Sequence, residues 1–212
     1  YALDRIQKLE GVVFLTGKAG TGKSTLLNLI KRTFKYNMVV LAPTGVASVL
    51  VGGQTIHSFF KFPPGWISQK DYRPLSKSMA DKIDLIVIDE ISMVRADLLD
   101  HMDQLLRISK KNDRPFGGIP MLWVGDLYQL PPVISSPEEK EYFKNHYSSP
   151  YFFSAEVMKE LDSFELIELE QVFQPDSDYL QLLSDLTSAD FLAREDAMMG
   201  DEQWVREGTA PM

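Results

Sequence analysis

Gly17-Lys18-Ala19-Gly20-Thr21-Gly22-Lys23-Ser24-Thr25 is the stretch on which the reading of this chain turns. It lies between an apolar run, Val12-Val13-Phe14-Leu15, and a segment with helical spacing, Leu26 to Phe34. A glycine, four residues and then Gly-Lys-Ser, set between a strand and a helix, is the pattern of a loop that cradles phosphate. Glycines accept backbone angles that other residues resist, so successive N–H groups can converge on an anion. The following helix adds the partial positive charge of its N-terminus. Gly17, Ala19, Gly20, Thr21, Gly22, Lys23, Ser24 and Thr25 are therefore the candidate nucleotide-binding residues. Lys23 would reach the β- and γ-phosphates, and the Ser24 hydroxyl would ligate Mg²⁺. The plainer reading, a glycine-rich turn that caps a helix, is disfavoured by the strand and helix on either side.

Two further blocks follow apolar runs. Leu85-Ile86-Val87-Ile88 has the unbroken hydrophobicity of a strand buried on both faces, and it ends at Asp89-Glu90. Ligands of open α/β folds gather where parallel strands end, so an acid there can hold Mg²⁺ directly or through water. Asp89 takes that role and Glu90 that of orienting and deprotonating a water; the same pair could instead cap the next helix. Met121 to Val124 leads into Gly125-Asp126-Leu127-Tyr128-Gln129-Leu130-Pro131-Pro132. Asp126 and Gln129 can face the same crevice, where an amide at Gln129 would sense a γ-phosphate and position the attacking water. The alternative is a proline-stiffened turn.

Strands are expected at Val12–Thr16, Met38–Leu41, Leu85–Ile88, Met121–Val124 and Glu165–Leu169. Helices are expected at 3–10, from the loop to Phe34, 46–51, 96–109, 138–145 and 179–186, with 52–64 irregular. Strands alternating with helices predict an α/β domain with a mostly parallel central sheet flanked by helices. At 212 residues, 44% hydrophobic and 25% charged, the chain can bury a full core. It lacks cysteine, which excludes disulfides and Cys-based zinc sites, and no apolar run approaches the roughly 20 residues of a membrane span. A net charge of −8 argues against strong unaided binding of nucleic acid but leaves room for a local basic groove.

Taken together, these blocks resemble the first RecA-like motor domain of superfamily-one DNA helicases, in particular the petite-integration-frequency (PIF-type) 5′→3′ helicases. The resemblance is carried, in the family's order, by residues 17–25, Ala42-Pro43-Thr44-Gly45-Val46-Ala47, Thr55-Ile56-His57-Ser58-Phe59-Phe60, Asp89-Glu90-Ile91-Ser92-Met93, Pro115-Phe116-Gly117-Gly118 and 125–132. It implies a RecA-like P-loop NTPase fold over residues 1–186, with ATP and Mg²⁺ as cofactors and Lys23, Glu90, Asp126 and Gln129 as the catalytic set. It also implies translocation on single-stranded DNA with unwinding at duplex junctions, as in DNA repair, recombination and telomere maintenance. Pro43, Thr44, Gly45, His57, Ser58 and Phe59 are the implied DNA contacts, although Phe59, Phe60 and Phe62 also read as ordinary core. The stiff stretch Phe62-Pro63-Pro64-Gly65-Trp66, within an insertion near 60–75, is a candidate strand-separating wedge.

Three departures qualify these implications. The family's adenine-reading Gln is not evident, since Gln7 falls in the leading helix, and that reader is expected before Tyr1. The arginine of the family's Val-Phe-Arg-Gln pattern is missing where Val172-Phe173 meets Gln174-Pro175. A second RecA-like domain is expected as a partner but is not in this stretch, and residues 187–212 read as a weakly packed acidic tail or the start of a further region. Weak hydrolysis by this polypeptide on its own is the expected result. A monomer is expected, with no membrane association, in the cytoplasm of a bacterium or the nucleus or mitochondria of a eukaryote. From a different class, a catalytically weak nucleotide-binding switch or scaffold remains the alternative, and a clamp-loader-like ATPase a more distant one.

Overall fold

The computed structural model describes Ile6 and residues 10–170. These fall in a compact unit, Tyr1–Gln171. Gln7, the missing-arginine position, the helix expected at 179–186, the boundary near 186 and the tail lie outside the described residues.

Six strands form one sheet: β1 (Val12–Gly17), β2 (Met38–Ala42), β3 (Gln54–Thr55), β4 (Leu85–Ile88), β5 (Met121–Gly125) and β6 (Phe164–Leu169). Their spatial order is β3-β2-β4-β5-β1-β6 and every pairing is parallel. The helices are α1 (Lys23–Thr33), α2 (Gly45–Leu50), α3 (Ile56–Phe60), α4 (Lys77–Lys82), α5 (Ala96–Lys110) and α6 (Pro137–His146).

The apolar strand runs supply two cores, because successive side chains of a strand point to opposite faces. Val12 and Phe14 of β1, Ile86 and Ile88 of β4, and Met121 and Trp123 of β5 join one cluster, together with α3 and α5. Val13, Leu15, Leu85, Val87, Leu122 and Val124 join the other, where Leu27 and Ile30 of α1 cover them. A parallel sheet buried on both faces requires such unbroken runs, and none of the described helices is long and apolar enough to cross a membrane.

The expected strands are found, Leu85–Ile88 with its expected bounds and the other four each longer by one residue. The correction falls in 52–64, expected to be irregular: Gln54–Thr55 pairs with β2, and Ile56–Phe60 is a short helix capped by the Thr55 hydroxyl, which accepts from Ser58 N–H at 3.1 Å. Of the leading helix expected at 3–10, Ile6 is helical and buried while Glu10 lies outside the helix.

Candidate functional site: the strand-end edge

A wholly parallel sheet delivers every strand's C-terminal end to one edge. There the phosphate loop follows β1, Pro43-Thr44-Gly45 follows β2, Asp89-Glu90 follows β4 and Asp126 follows β5. Since β5 lies between β4 and β1, Asp126 leaves the sheet between the loop and the Asp89-Glu90 pair. β4 and β1 are thus two strand spacings apart, about 10 Å.

The loop has the features a phosphate needs. Gly22, at φ 86° and ψ 14°, turns the chain into α1. Unlike α2, α3, α4 and α6, which have Thr44, Thr55, Ser76 and Ser136 as side-chain caps, α1 has neither a capping side chain nor an acid in its first turn. Its first N–H groups are thus left for an anion. The Lys23 ammonium donates to the carbonyls of Gly17 at 2.6 Å and Lys18 at 3.1 Å, which folds it over the loop. Thr21 is buried and its hydroxyl donates to Lys18 O at 2.8 Å, so its side chain braces the loop from inside. Ser24 is exposed at the head of α1.

Asp89 and Glu90 are half-buried, and burial is the main cause that pushes both carboxyls above their ordinary range. For Glu90 the charges of Asp89 and Asp126 push the same way, while the Lys23 charge pulls back on both. Glu90 sits at φ 52° and ψ 44°, the left-handed region that a non-glycine residue rarely occupies. Asp126 is buried and accepts from Tyr128 N–H at 3.0 Å and from the Gln129 side-chain amide at 3.1 Å. Asp126 and Gln129, expected to face the same crevice, are joined directly by this second hydrogen bond. Among the described residues no group of three or more His, Cys, Asp or Glu could hold a metal by itself. Ser24 and Asp89 fit the sparser protein share of a site in which Mg²⁺ arrives with phosphate.

Of the residues expected to face DNA, Gly45 and Ser58 are exposed and Pro43, Thr44 and His57 half-buried. Thr44 is also the cap of α2, accepting from Ala47 N–H at 3.2 Å. Phe59 is the exception: it is 6% exposed and meets Phe60 edge-on, ring centroids 4.9 Å apart. Its ring belongs to the core because α3 packs that face onto the sheet, so it offers no stacking surface. Phe62 is likewise core, stacked on Phe60 at 5.4 Å, which shortens the candidate wedge to 63–66, with Pro63 half-buried and 64–66 exposed. Trp66 is 48% exposed and rests edge-on against Tyr142 of α6 at 4.7 Å.

Sequence reasoning missed Arg95, Asp97 and Glu139, which form an ion-pair cluster beside the site. The spacing Ser136-Pro137-Glu138-Glu139 was the available signal for part of it, a capping box that the structure bears out.

The sequence model of PIF1-like helicases matches residues 2–184. The ATP-dependent DNA helicase PIF1 of Saccharomyces cerevisiae is 41% identical over 142 residues, 62% of this chain and 16% of that protein. A Bacteroides Pif1 helicase in complex with ADP-AlF3 and ssDNA superposes with a TM-score of 0.72 at 39% identity, covering 87% of this chain and 45% of that one. Two coordinating Pif1 helicases solved at forked dsDNA give 0.74 at 39% identity, covering 87% and 46%. The chain thus spans less than half the length of these relatives.

Proposed function

Since this chain belongs to the PIF1-like helicase family, we propose that it is the first RecA-like motor domain of an ATP-dependent 5′→3′ DNA helicase. In the whole protein it couples ATP hydrolysis to movement along single-stranded DNA and to unwinding at duplex junctions. The observation that carries this reading is the convergence of the phosphate loop, Asp89-Glu90, Asp126-Gln129 and Pro43-Thr44-Gly45 on one sheet edge.

The loop N–H groups and the uncapped start of α1 bind the triphosphate, and Lys23 exchanges its carbonyl partners for β- and γ-phosphate oxygens. Mg²⁺, when bound, supplies charge neutralisation at those oxygens. Ser24 and Asp89 orient it, and Glu90 takes the proton of the attacking water. Gln129, held by Asp126, positions that water and registers the presence of the γ-phosphate. Pro43-Thr44-Gly45 and His57-Ser58 grip the DNA backbone without reading its sequence, as turn N–H and hydroxyl groups can. The segment 63–66, stiffened by Pro63 and Pro64 and ending on exposed Trp66, serves as the wedge. A second RecA-like domain completes the cleft and supplies a further cation to the γ-phosphate.

The deciding experiment measures ATP turnover of the full-length protein with and without an oligonucleotide, alongside Lys23→Ala. Turnover that rises with single-stranded DNA and vanishes in the variant supports a motor; DNA-independent turnover ends the helicase reading. For the wedge, replacing 63–66 with Gly-Ser residues is expected to abolish unwinding and spare translocation, and intact unwinding would remove that assignment.

A further inference from the structure

Arg95 stands at the head of α5, just beyond the turn that carries Glu90, and its guanidinium is divided between two carboxylates. Its Nε and Nη2 donate to Asp97 at 3.0 and 2.5 Å, and its Nη1 donates to Glu139 Oε1 at 2.6 Å. The Phe143 ring covers it, 5.2 Å from centroid to guanidinium carbon. The other Glu139 oxygen accepts from Ser135 N–H at 2.8 Å and Ser136 N–H at 3.2 Å. Those two residues close the stretch that begins at Gly125-Asp126 and bears Gln129.

Two segments, 90–95 and 125–136, are thus pinned together at both ends. At the near end Gly125 packs so closely that a Cβ there would come within 2.9 Å of Ile91 Cγ2 and 3.2 Å of Ile91 N. At the far end stands the Arg95–Glu139 pair, largely withdrawn from water, with side chains 18% and 11% exposed. The fork-shaped pairing of Nε and Nη2 with Asp97 fixes the direction from which Nη1 meets Glu139. Gln129 lies between the pins on its segment, and Glu90 immediately precedes the near pin at Ile91. The same guanidinium also acts on the DNA side: after burial, it is the next cause that holds the His57 imidazole below its ordinary range, with Asp97 opposing it.

We propose that Arg95 and Glu139 are positioning residues that clamp the Gln129 segment to the Glu90 turn, so that the water-activating carboxylate and the phosphate-sensing amide move as one body. The proposal rests on the helicase reading above. A pair that merely staples α5 to α6 would give up stability without changing turnover per folded molecule; a clamp changes turnover itself. Neither residue belongs to the phosphate loop, so affinity for ATP is not the quantity the clamp controls.

The test uses the full-length protein with Arg95→Lys, which keeps the charge but loses the fork, with Glu139→Gln, which keeps the shape but loses the charge, and with the double variant. Turnover is normalised to the folded fraction measured by circular dichroism. Each single variant is expected to lower DNA-stimulated kcat about tenfold or more, since small misplacements of reacting groups are costly, while KM for ATP is unchanged. The double variant loses no more than the worse single one, because the two act as a unit. Amide exchange at Ser135 and Ser136 accelerates in Glu139→Gln, with or without nucleotide. Unchanged kcat in both single variants, or losses that simply add, overturns the clamp. An unaltered protein that DNA fails to stimulate overturns the helicase reading instead, and exchange at Ser135 and Ser136 then still decides whether the clamp exists.

Discussion

Glu90 combines two costs that a structural residue has no reason to accept. Its left-handed backbone is disfavoured by about 1–2 kcal/mol for an L-residue, and burial beside Asp89 and Asp126 opposes its ionisation. A general base must be ionised, so ATP turnover is expected to fall on acidification through a pH above the ordinary carboxylate range. Glu90→Gln should lower DNA-stimulated turnover by about 10²–10⁴-fold while retaining nucleotide binding, measured by pH–rate profiles and by a fluorescent ATP analogue. Because the folded-state pKa is raised, the folded protein holds this proton more tightly than the unfolded chain. The contribution of Glu90 to stability is therefore greatest below the unfolded pKa and declines as pH rises through the folded one. Gly17 is a second test at this scale. A Cβ there would meet Leu169 O and Thr21 Oγ1, both at 2.6 Å, with φ at +152°. Gly17→Ala should weaken nucleotide binding and lower the melting temperature together, because the loop and the end of β6 cannot both keep their places. Lys23, Asp89, Glu90, Asp126 and Gln129 could be singled out as candidates in the sequence because each belongs to a segment that directly follows a buried apolar strand, and the structure brings those segments to one sheet edge. The choice between the core and DNA-facing readings of Phe59 was not legible there, since a five-residue helix shows too little of the 3.6-residue period to tell its inner face from its outer one.

α3 divides its labour along its faces. Phe59 and Phe60 pack into the core while Ser58 is exposed and His57 half-buried. Phe60→Ala should cost about 3–5 kcal/mol of stability, read from denaturant melts, whereas His57→Ala and Ser58→Ala should leave the melts nearly unchanged and weaken binding of single-stranded DNA. A reversed result would remove α3 from the DNA interface. The continuous apolar strands and the long amphipathic α5 were read correctly from the sequence, since burial on two faces or on one stripe leaves an unmistakable pattern. β3 and α3 were hidden between Gly52-Gly53 and Pro63-Pro64, punctuation that reads as a loop when the element between is only a turn or two long. The Arg95–Glu139 contact joins residues far apart in the chain, so no local pattern announces it.

Over these 212 residues, the net charge of −8 has a consequence for binding. On the proposed helicase reading, this chain's own contacts to DNA are few and local, so affinity for single-stranded DNA in the full-length protein is expected to fall with salt at a log–log slope of about −0.7 per phosphate contacted, and the slope should be shallow. Fluorescence anisotropy across a salt series measures it; a steep slope would mean that a large basic surface elsewhere in the protein dominates binding.

The one-way sheet also gives the molecule a rear side. The loop before β5, where Arg114 is exposed, enters at the strand-start rim, opposite the edge where the strands end. The chain has no cysteine, so Arg114→Cys would introduce one thiol into it. Biotin or a dye attached there would let the protein be anchored to a glass surface with its working edge facing the solution.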